Sequence, residues 1–152
     1  MADDKIPIDD LNLLLAEHRA LLTKIAELRE WATAVGEHGI PRFGEMGTRM
    51  EQLRDRLRTH FEEEEKGGYL SPIVEIAPRF AKEIEELGGQ HGELLLTLDR
   101  FIARLHETEP PFASWQQAMR EFEEFIGALR QHEGRENTIA QAAYGQDIGA
   151  AD

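Results

Sequence analysis

The apolar positions of the chain fall into four long stripes with three- and four-residue steps, the spacing of one face of a helix. The first stripe contains Leu11, Leu14, Leu15, His18, Leu21, Leu22, Ile25, Leu28 and Ala32. Asp9 and Asp10, just after Pro7, stand where an N-cap belongs, and Gly36, Gly39 and Pro41 read as the turn that follows. The second stripe starts near Pro41 and carries Met46, Met50, Leu53, Leu57, His60, Phe61 and Glu64. Beyond Glu65 the glycines Gly67 and Gly68 and the proline Pro72 oppose a helix, while Leu70, Ile73, Val74 and Ile76 keep the segment apolar. A continuing or kinked helix to about Ile76 is expected, with a turn at Ala77-Pro78. The third helix is predicted from about Arg79 to His106, with Phe80, Ile84, Leu87, His91, Leu94, Leu95, Leu98, Ile102 and Leu105 on its inner face. Gly88, Gly89 and Gly92 surround His91, and each costs about 1 kcal/mol of helix propensity. A close helix approach, room for a ligand or a local break would account for them. Pro110 and Pro111 mark the next turn. The fourth helix is predicted from near Phe112, through Trp115, Met119, Phe122, Phe125, Ile126, Leu129, His132, Glu136 and Ile139, to Tyr144-Gly145. The tail, residues 145–152, reads as too short and glycine-rich for a fifth helix. No segment alternates with period two for long enough to be a strand.

Four long helices with short links predict an all-α, up-down-up-down four-helix bundle. At 152 residues the chain reads as one domain, with a core of about 9–144. Its two halves repeat. Leu57-Arg58-Thr59-His60-Phe61-Glu62-Glu63-Glu64 and Leu129-Arg130-Gln131-His132-Glu133-Gly134-Arg135-Glu136 both fit L-R-x-H-x-x-x-E. Upstream of each stands another histidine in a shared context, His18-Arg19-Ala20-Leu21-Leu22 and His91-Gly92-Glu93-Leu94-Leu95. His18 precedes His60 by 42 residues and His91 precedes His132 by 41. Each histidine lies about 20 residues from its hairpin turn. At about 1.5 Å of rise per residue, both histidines of a hairpin therefore reach the same level. All four can share one layer, each on the core-facing stripe of its helix.

A lone histidine in an apolar stripe is more often a hydrogen-bonded core residue than a ligand, and a single H-x-x-x-E is a weak motif. A buried carboxylate is costly unless it is paired, hydrogen-bonded or bound to a metal. Glu64 and Glu136 continue core stripes at the level of four imidazoles. The alternative is a buried cluster of two acids and four histidines held by hydrogen bonds alone. Imidazole with carboxylate suits iron, manganese or zinc rather than calcium or magnesium. Two carboxylates among four helices suit a pair of metals bridged by those carboxylates. His18 and His60 are assigned to one metal, His91 and His132 to the other, with Glu64 and Glu136 bridging. An octahedral ion then keeps two further positions, enough for a shared oxo or hydroxo bridge and one exchangeable site.

Composition narrows the surroundings of such a site. The net charge of −13 argues against nucleic acid or an anionic membrane surface as partner. There is no cysteine, which excludes disulfides, thiolate zinc sites and iron–sulfur clusters. Apolar residues make up 41%, enough for a proper core. Met1-Ala2-Asp3-Asp4-Lys5 lacks the basic and apolar regions of a signal peptide, and no apolar run would span a bilayer, so a cytoplasmic location is expected.

The order H…H-x-x-x-E…H…H-x-x-x-E on four helices resembles the hemerythrin-like, or HHE cation-binding, domains. The likeness covers nearly the whole chain. His60-Phe61 through Glu64, Gly67-Gly68-Tyr69-Leu70 and Tyr144 through Asp152 look like a bacterial stand-alone branch. The resemblance implies a di-iron centre ligated by His18, His60, Glu64, His91, His132 and Glu136. One departure stands out. Oxygen-carrying hemerythrins have a further histidine one turn after the position of His91, where this chain has Leu95. Their last carboxylate is an aspartate five residues after its histidine; here it is a glutamate at four. The set of four histidines and two glutamates is similar to that of iron- and oxygen-sensing members rather than of oxygen carriers.

Three functions compete: a module binding or sensing iron, oxygen or nitric oxide; a di-iron enzyme that consumes peroxide or oxidises iron; and a metal-free structural or partner-binding bundle. A sensor needs a protein partner that the sequence does not identify. Among other polar residues, Glu63 and Glu133 adjoin the ligand face and are assigned roles outside direct coordination or in solvent. Glu62 and Glu65 read as solvated, and Glu17 and Arg19 as flanking His18, able to orient it or simply exposed. His38 and His106 suit helix ends, Trp31 and Trp115 suit packing, and Tyr69 faces away from His60.

Overall fold

A computed structural model describes residues 7–66, 70–109 and 112–150 of the chain. Helix α1 spans Pro7–His38, so Asp9 and Asp10 fall in its first turn rather than at its cap, where carboxylates favour the positive end of the helix dipole. The expected turn at Gly36 moves to Gly39, whose φ of 79° closes the helix in the left-handed region that a side chain disfavours. Helix α2 spans Phe43–Glu65, and Pro41 lies in the link before it. It ends where the Lys66 N–H meets the Glu62 carbonyl, rather than continuing. The predicted kinked extension is instead a separate short helix, α3, at Ser71–Ile76, with Pro72 in its first turn. Gly67, Gly68 and Tyr69 lie outside the described residues, as do the N-terminal pentapeptide, Pro110 and Pro111. Ala77 is extended, as a residue before proline tends to be, and a 3-10 turn at Pro78–Phe80 leads into α4 at Ala81–Leu105.

Helix α5 spans Trp115–Ala150. It starts later than predicted because the Ser114 hydroxyl caps it, accepting the Gln117 N–H at 3.1 Å. Phe112 is left in the loop before it, buried against Phe43 and Phe101. The tail expected to be irregular continues this helix to Ala150, despite Gly145 and Gly149. No strand occurs among the described residues, and none of their helices is long and apolar enough to cross a membrane.

The four long helices form an all-α bundle in which every adjacent pair is antiparallel, as paired contacts show. Along α1 and α2, His18 meets His60 and Trp31 meets Arg49. Along α2 and α4, Glu51 meets His106 and Glu65 meets His91. Arg104–Glu121 and His91–His132 tie α4 to α5, while Trp115–Ala32 and His18–Asn137 tie α5 to α1. The expected packing of the tryptophans holds: their rings meet edge to face at 6.0 Å, and the Trp115 indole N–H donates to the Ala32 carbonyl.

Two separate apolar clusters fill the bundle. The larger includes Leu21, Ile25, Leu53, Leu57, Phe61, Leu94, Leu98, Phe122 and Leu129. The smaller gathers Leu11 and Leu14 of α1, Ile73 of α3, Leu87 of α4 and Ile139, Ala140, Ala143 and Tyr144 of α5. Each long helix passes from one cluster towards the other through its histidine. Burying a leucine side chain contributes about 1.5–3 kcal/mol, so the two clusters hold the polar layer between them. Without the continuation of α5 and the short α3, that layer would open to water on one side.

The glycines around His91 are neither a break nor a close approach. Helix α4 is continuous through them, and a Cβ at Gly88, Gly89 or Gly92 would meet nothing within 4 Å. Gly47 is the glycine set by close packing, since a Cβ there would lie 2.7 Å from the His106 ring. Gly89→Ala should therefore raise stability, by about 0.5–1 kcal/mol, the difference in helix propensity. Urea unfolding followed by circular dichroism checks this, and a loss of stability would show that α4 needs a glycine at that position.

Candidate metal centre

The four histidines and two glutamates singled out from the repeat do come together. All six are at most 3% exposed and come from four different helices. His18 and His60 meet with ring centroids 5.1 Å apart at 69°, and His91 and His132 repeat that arrangement at 5.0 Å and 68°. The sequence duplication is thus a duplication of geometry. Between the two histidine pairs lie the carboxylates. Glu64 Oε1 stands 3.1 Å from His60 Nε2 and 3.5 Å from His91 Nε2. Glu136 Oε1 stands 3.2 Å from His18 Nε2, and its Oε2 lies 3.4 Å from His91 Nε2 and 3.1 Å from His132 Nε2. Two sets of four residues result, His18, His60, Glu64 and Glu136, and Glu64, His91, His132 and Glu136. Within each set the donor atoms lie within 4.8 Å of one another, and both glutamates belong to both.

The outer nitrogens of the rings follow a cyclic pattern. Asn137 Oδ1 of α5 accepts from His18 Nδ1 of α1 at 2.6 Å. Glu65 Oε1 of α2 accepts from His91 Nδ1 of α4 at 2.9 Å. Gln90 Oε1 of α4 accepts from His132 Nδ1 of α5 at 2.8 Å. Glu17 of α1 faces His60 Nδ1 of α2 at a looser 3.9 Å. Each acceptor sits on the helix next to its histidine, and the chain of contacts closes on itself. In His18, His91 and His132 Nδ1 is engaged outward and Nε2 is the atom presented inward, as metal-ligating histidines are usually held, while His60 Nδ1 makes no hydrogen bond.

These outer residues depart from the sequence expectations. Glu65 is not simply solvated: its side chain is 53% exposed but reaches His91. Glu17 faces His60 rather than His18, and Arg19 is exposed. Asn137 and Gln90 were not anticipated. A signal for them exists in the repeat. Each is next in sequence to a core polar residue, and the pairs Glu17/Gln90 and Glu65/Asn137 occupy equivalent places in the two halves. A step of one residue turns about 100° around a helix, from the bundle axis towards the neighbouring helix. Glu63 is exposed, but Glu133, for which solvent was one expected setting, is buried beside His18, with Oε2 3.7 Å from Nε2. His38 ends α1, and His106 ends α4 with its Nε2 2.6 Å from Glu51; both lie outside the cluster.

Electrostatics show what the cluster lacks. Burial pushes the Glu64 carboxyl up to about 7, against the pull of His60. Burial also raises Glu133 to about 7. For Glu136 burial is outweighed by the three imidazoles crowded against it, those of His132, His18 and His91, which hold it well below the usual carboxylate range. Burial lowers His18, but the close carboxylate of Glu136 and the charge of Glu133 overcome it and raise it to about 9. His91 rises likewise, with Glu136 and Glu65 offsetting its burial. Several inward atoms nonetheless have no hydrogen-bond partner: Nε2 of His18, His60 and His132, both oxygens of Glu64 and Glu133, and Oε1 of Glu136. A hydrogen bond to a charged group returns about 1.5–3 kcal/mol, less than the several kcal/mol that desolvating an ion costs. Bare nitrogen and oxygen donors converging in an apolar core fit a transition-metal cation.

Fold and cluster together define a helical bundle with a buried histidine–carboxylate centre suited to cations. The chain belongs to the hemerythrin family: the model of the hemerythrin HHE cation binding domain matches residues 9–144. Comparison with curated proteins and with solved structures finds no match.

A cation bound through His18 must displace a proton from its imidazole. With His18 raised to about 9, binding near pH 7 should release at least one proton, and affinity should rise with pH until about 9. Calorimetric titration in buffers of different ionisation enthalpy measures that release; affinity independent of pH between 6 and 8 would count against the cluster as the binding site.

Proposed function

We propose that the cluster holds two iron ions and that the protein binds or senses iron, dioxygen or nitric oxide. His18 and His60 serve one ion, His91 and His132 the other, and Glu64 and Glu136 lie between the two. The observation that carries this reading is the pair of overlapping donor sets, each with inward atoms that nothing else in the fold satisfies. Membership of a cation-binding family supports a metal, and the mixture of imidazole and carboxylate supports iron, with zinc and manganese accepting the same donor types. Iron held there would supply a ferrous–ferric couple with affinity for diatomic ligands and peroxide.

The chain's own residues set the conditions for that chemistry. Leu14, Leu21, Leu57, Leu87, Leu94 and Leu129 flank the layer and keep bulk water from it. Asn137, Glu65 and Gln90 fix the rings from outside. A cleft of about 550 Å³ between α4 and α5 has Gln90, Leu94, Phe101, Phe125 and His132 in its walls. His132 lines it while its residue stays 2% exposed, so the cleft lies directly beside the centre. The net charge of −13 works against nucleic acid as a partner.

Protein produced with iron supplied should contain about two iron atoms per chain by elemental analysis. His91→Ala should lower that content while the helical circular dichroism is kept. Iron-replete protein that purifies with none would leave a metal-free bundle as the better reading. Mixing the ferrous protein with peroxide tests the role: one stoichiometric oxidation supports binding or sensing, and sustained turnover would replace it with a di-iron enzyme.

A further inference from the structure

The two halves of the duplicated centre differ at a pair of equivalent positions that are both buried at the histidine layer. The residue after His60 is Phe61, and the residue after His132 is Glu133. Phe61 lies flat on the His91 ring, with centroids 4.0 Å apart and planes 8° from parallel. Glu133 takes the corresponding place across the bundle, against His18, with Oε2 3.7 Å from Nε2. It is 3% exposed, and neither of its oxygens has a hydrogen-bond partner. Packing alone does not ask for an acid there, because the other half fills the same position with a phenyl ring. A buried carboxylate without a donor is costly, and an apolar residue of similar volume would avoid that cost. Its Oε2 lies beside His18 in the His18/His60 half, where a positive centre would satisfy it.

We propose that Glu133 is a further metal ligand, confined to the His18/His60 half, so that the two cation positions are chemically unequal. One is richer in oxygen donors. The other is walled by the Phe61 ring, and His132 of that half borders the cleft between α4 and α5. An added carboxylate makes the first position the tighter one for a divalent ion, so it fills first. This rests on the two-ion reading above.

Titration of the metal-free full-length protein with Co²⁺, followed by visible absorbance and calorimetry, tests it. Wild-type protein should take up two equivalents in two resolved steps. Glu133→Gln and Glu133→Leu should weaken the first step by more than about 100-fold, beyond the range for a residue that only orients a ligand, and leave the second within a few-fold. Metal-free Glu133→Leu should also resist urea better than wild type, the opposite of what loss of a structural contact gives. Variants that bind both equivalents with wild-type constants overturn the proposal, as does equal weakening of both steps. Wild-type protein that takes up fewer than two equivalents overturns the two-ion reading and this inference with it. A structure of the Co²⁺-loaded wild type decides independently of any variant. An anomalous peak about 2 Å from a Glu133 oxygen is expected, and a peak out of bonding reach of both oxygens overturns the assignment.

Discussion

Everything in this bundle is arranged around carboxylates placed where water does not reach. Glu64, Glu133 and Glu136 are buried within an otherwise apolar interior, and such groups demand compensation before any fold containing them is stable. Four imidazoles supply part of it. Their number and inward direction follow from a duplicated hairpin: one helical pair solves the problem of presenting two histidines and one acid at a common height, and its copy solves it again from the opposite side. The apolar clusters above and below are the enclosure that makes the electrostatics strong, because in low dielectric a partnered charge is held firmly and an unpartnered one weighs heavily.

The family match and the geometry answer different questions. The match establishes descent and a cation-binding character over residues 9–144. The geometry shows which buried donors this particular chain brings together, and which acceptors stand behind the rings. Leu95, partly buried against the larger cluster, shows that the His91/His132 half receives no additional imidazole from α4. The extra acid, Glu133, stands in the other half. The departure from the oxygen-carrying pattern and the symmetry-breaking residue therefore affect different sides of the centre.

Much of this was legible in the chain. The four stripes located the long helices, and the histidines within them located the layer, because a core position occupied by a polar residue is informative in a way that an apolar one is not. What escaped was set by tertiary contacts that periodicity does not encode. Pro72 reads as a kink in a helix continuing to about Ile76 and Ala77-Pro78 as the turn after it, yet Pro72 begins a separate element whose Ile73 closes the smaller cluster. Gly145 and Gly149 argued for an irregular tail, and helix α5 nevertheless continues to Ala150 beyond the buried Ala143 and Tyr144. Glu65 looked solvated because it belongs to an acidic run, and only the placement of α4 beside α2 gives it a partner in His91. Leu22 falls at the margin of its stripe and is 37% exposed, a reminder that a stripe has edges.

The cyclic order of the outer acceptors has a mechanical consequence. Because three of them grip an imidazole carried by the adjacent helix and the fourth faces one, the four interfaces are laced together as a hoop around the bundle. Sliding or splaying of any two neighbours drags one ring, and a tug on any ring is felt at a helix seam. The looser link between Glu17 and His60 is the slackest stretch of that hoop, so the seam between α1 and α2 is where strain arising at the centre would emerge at the surface of the molecule.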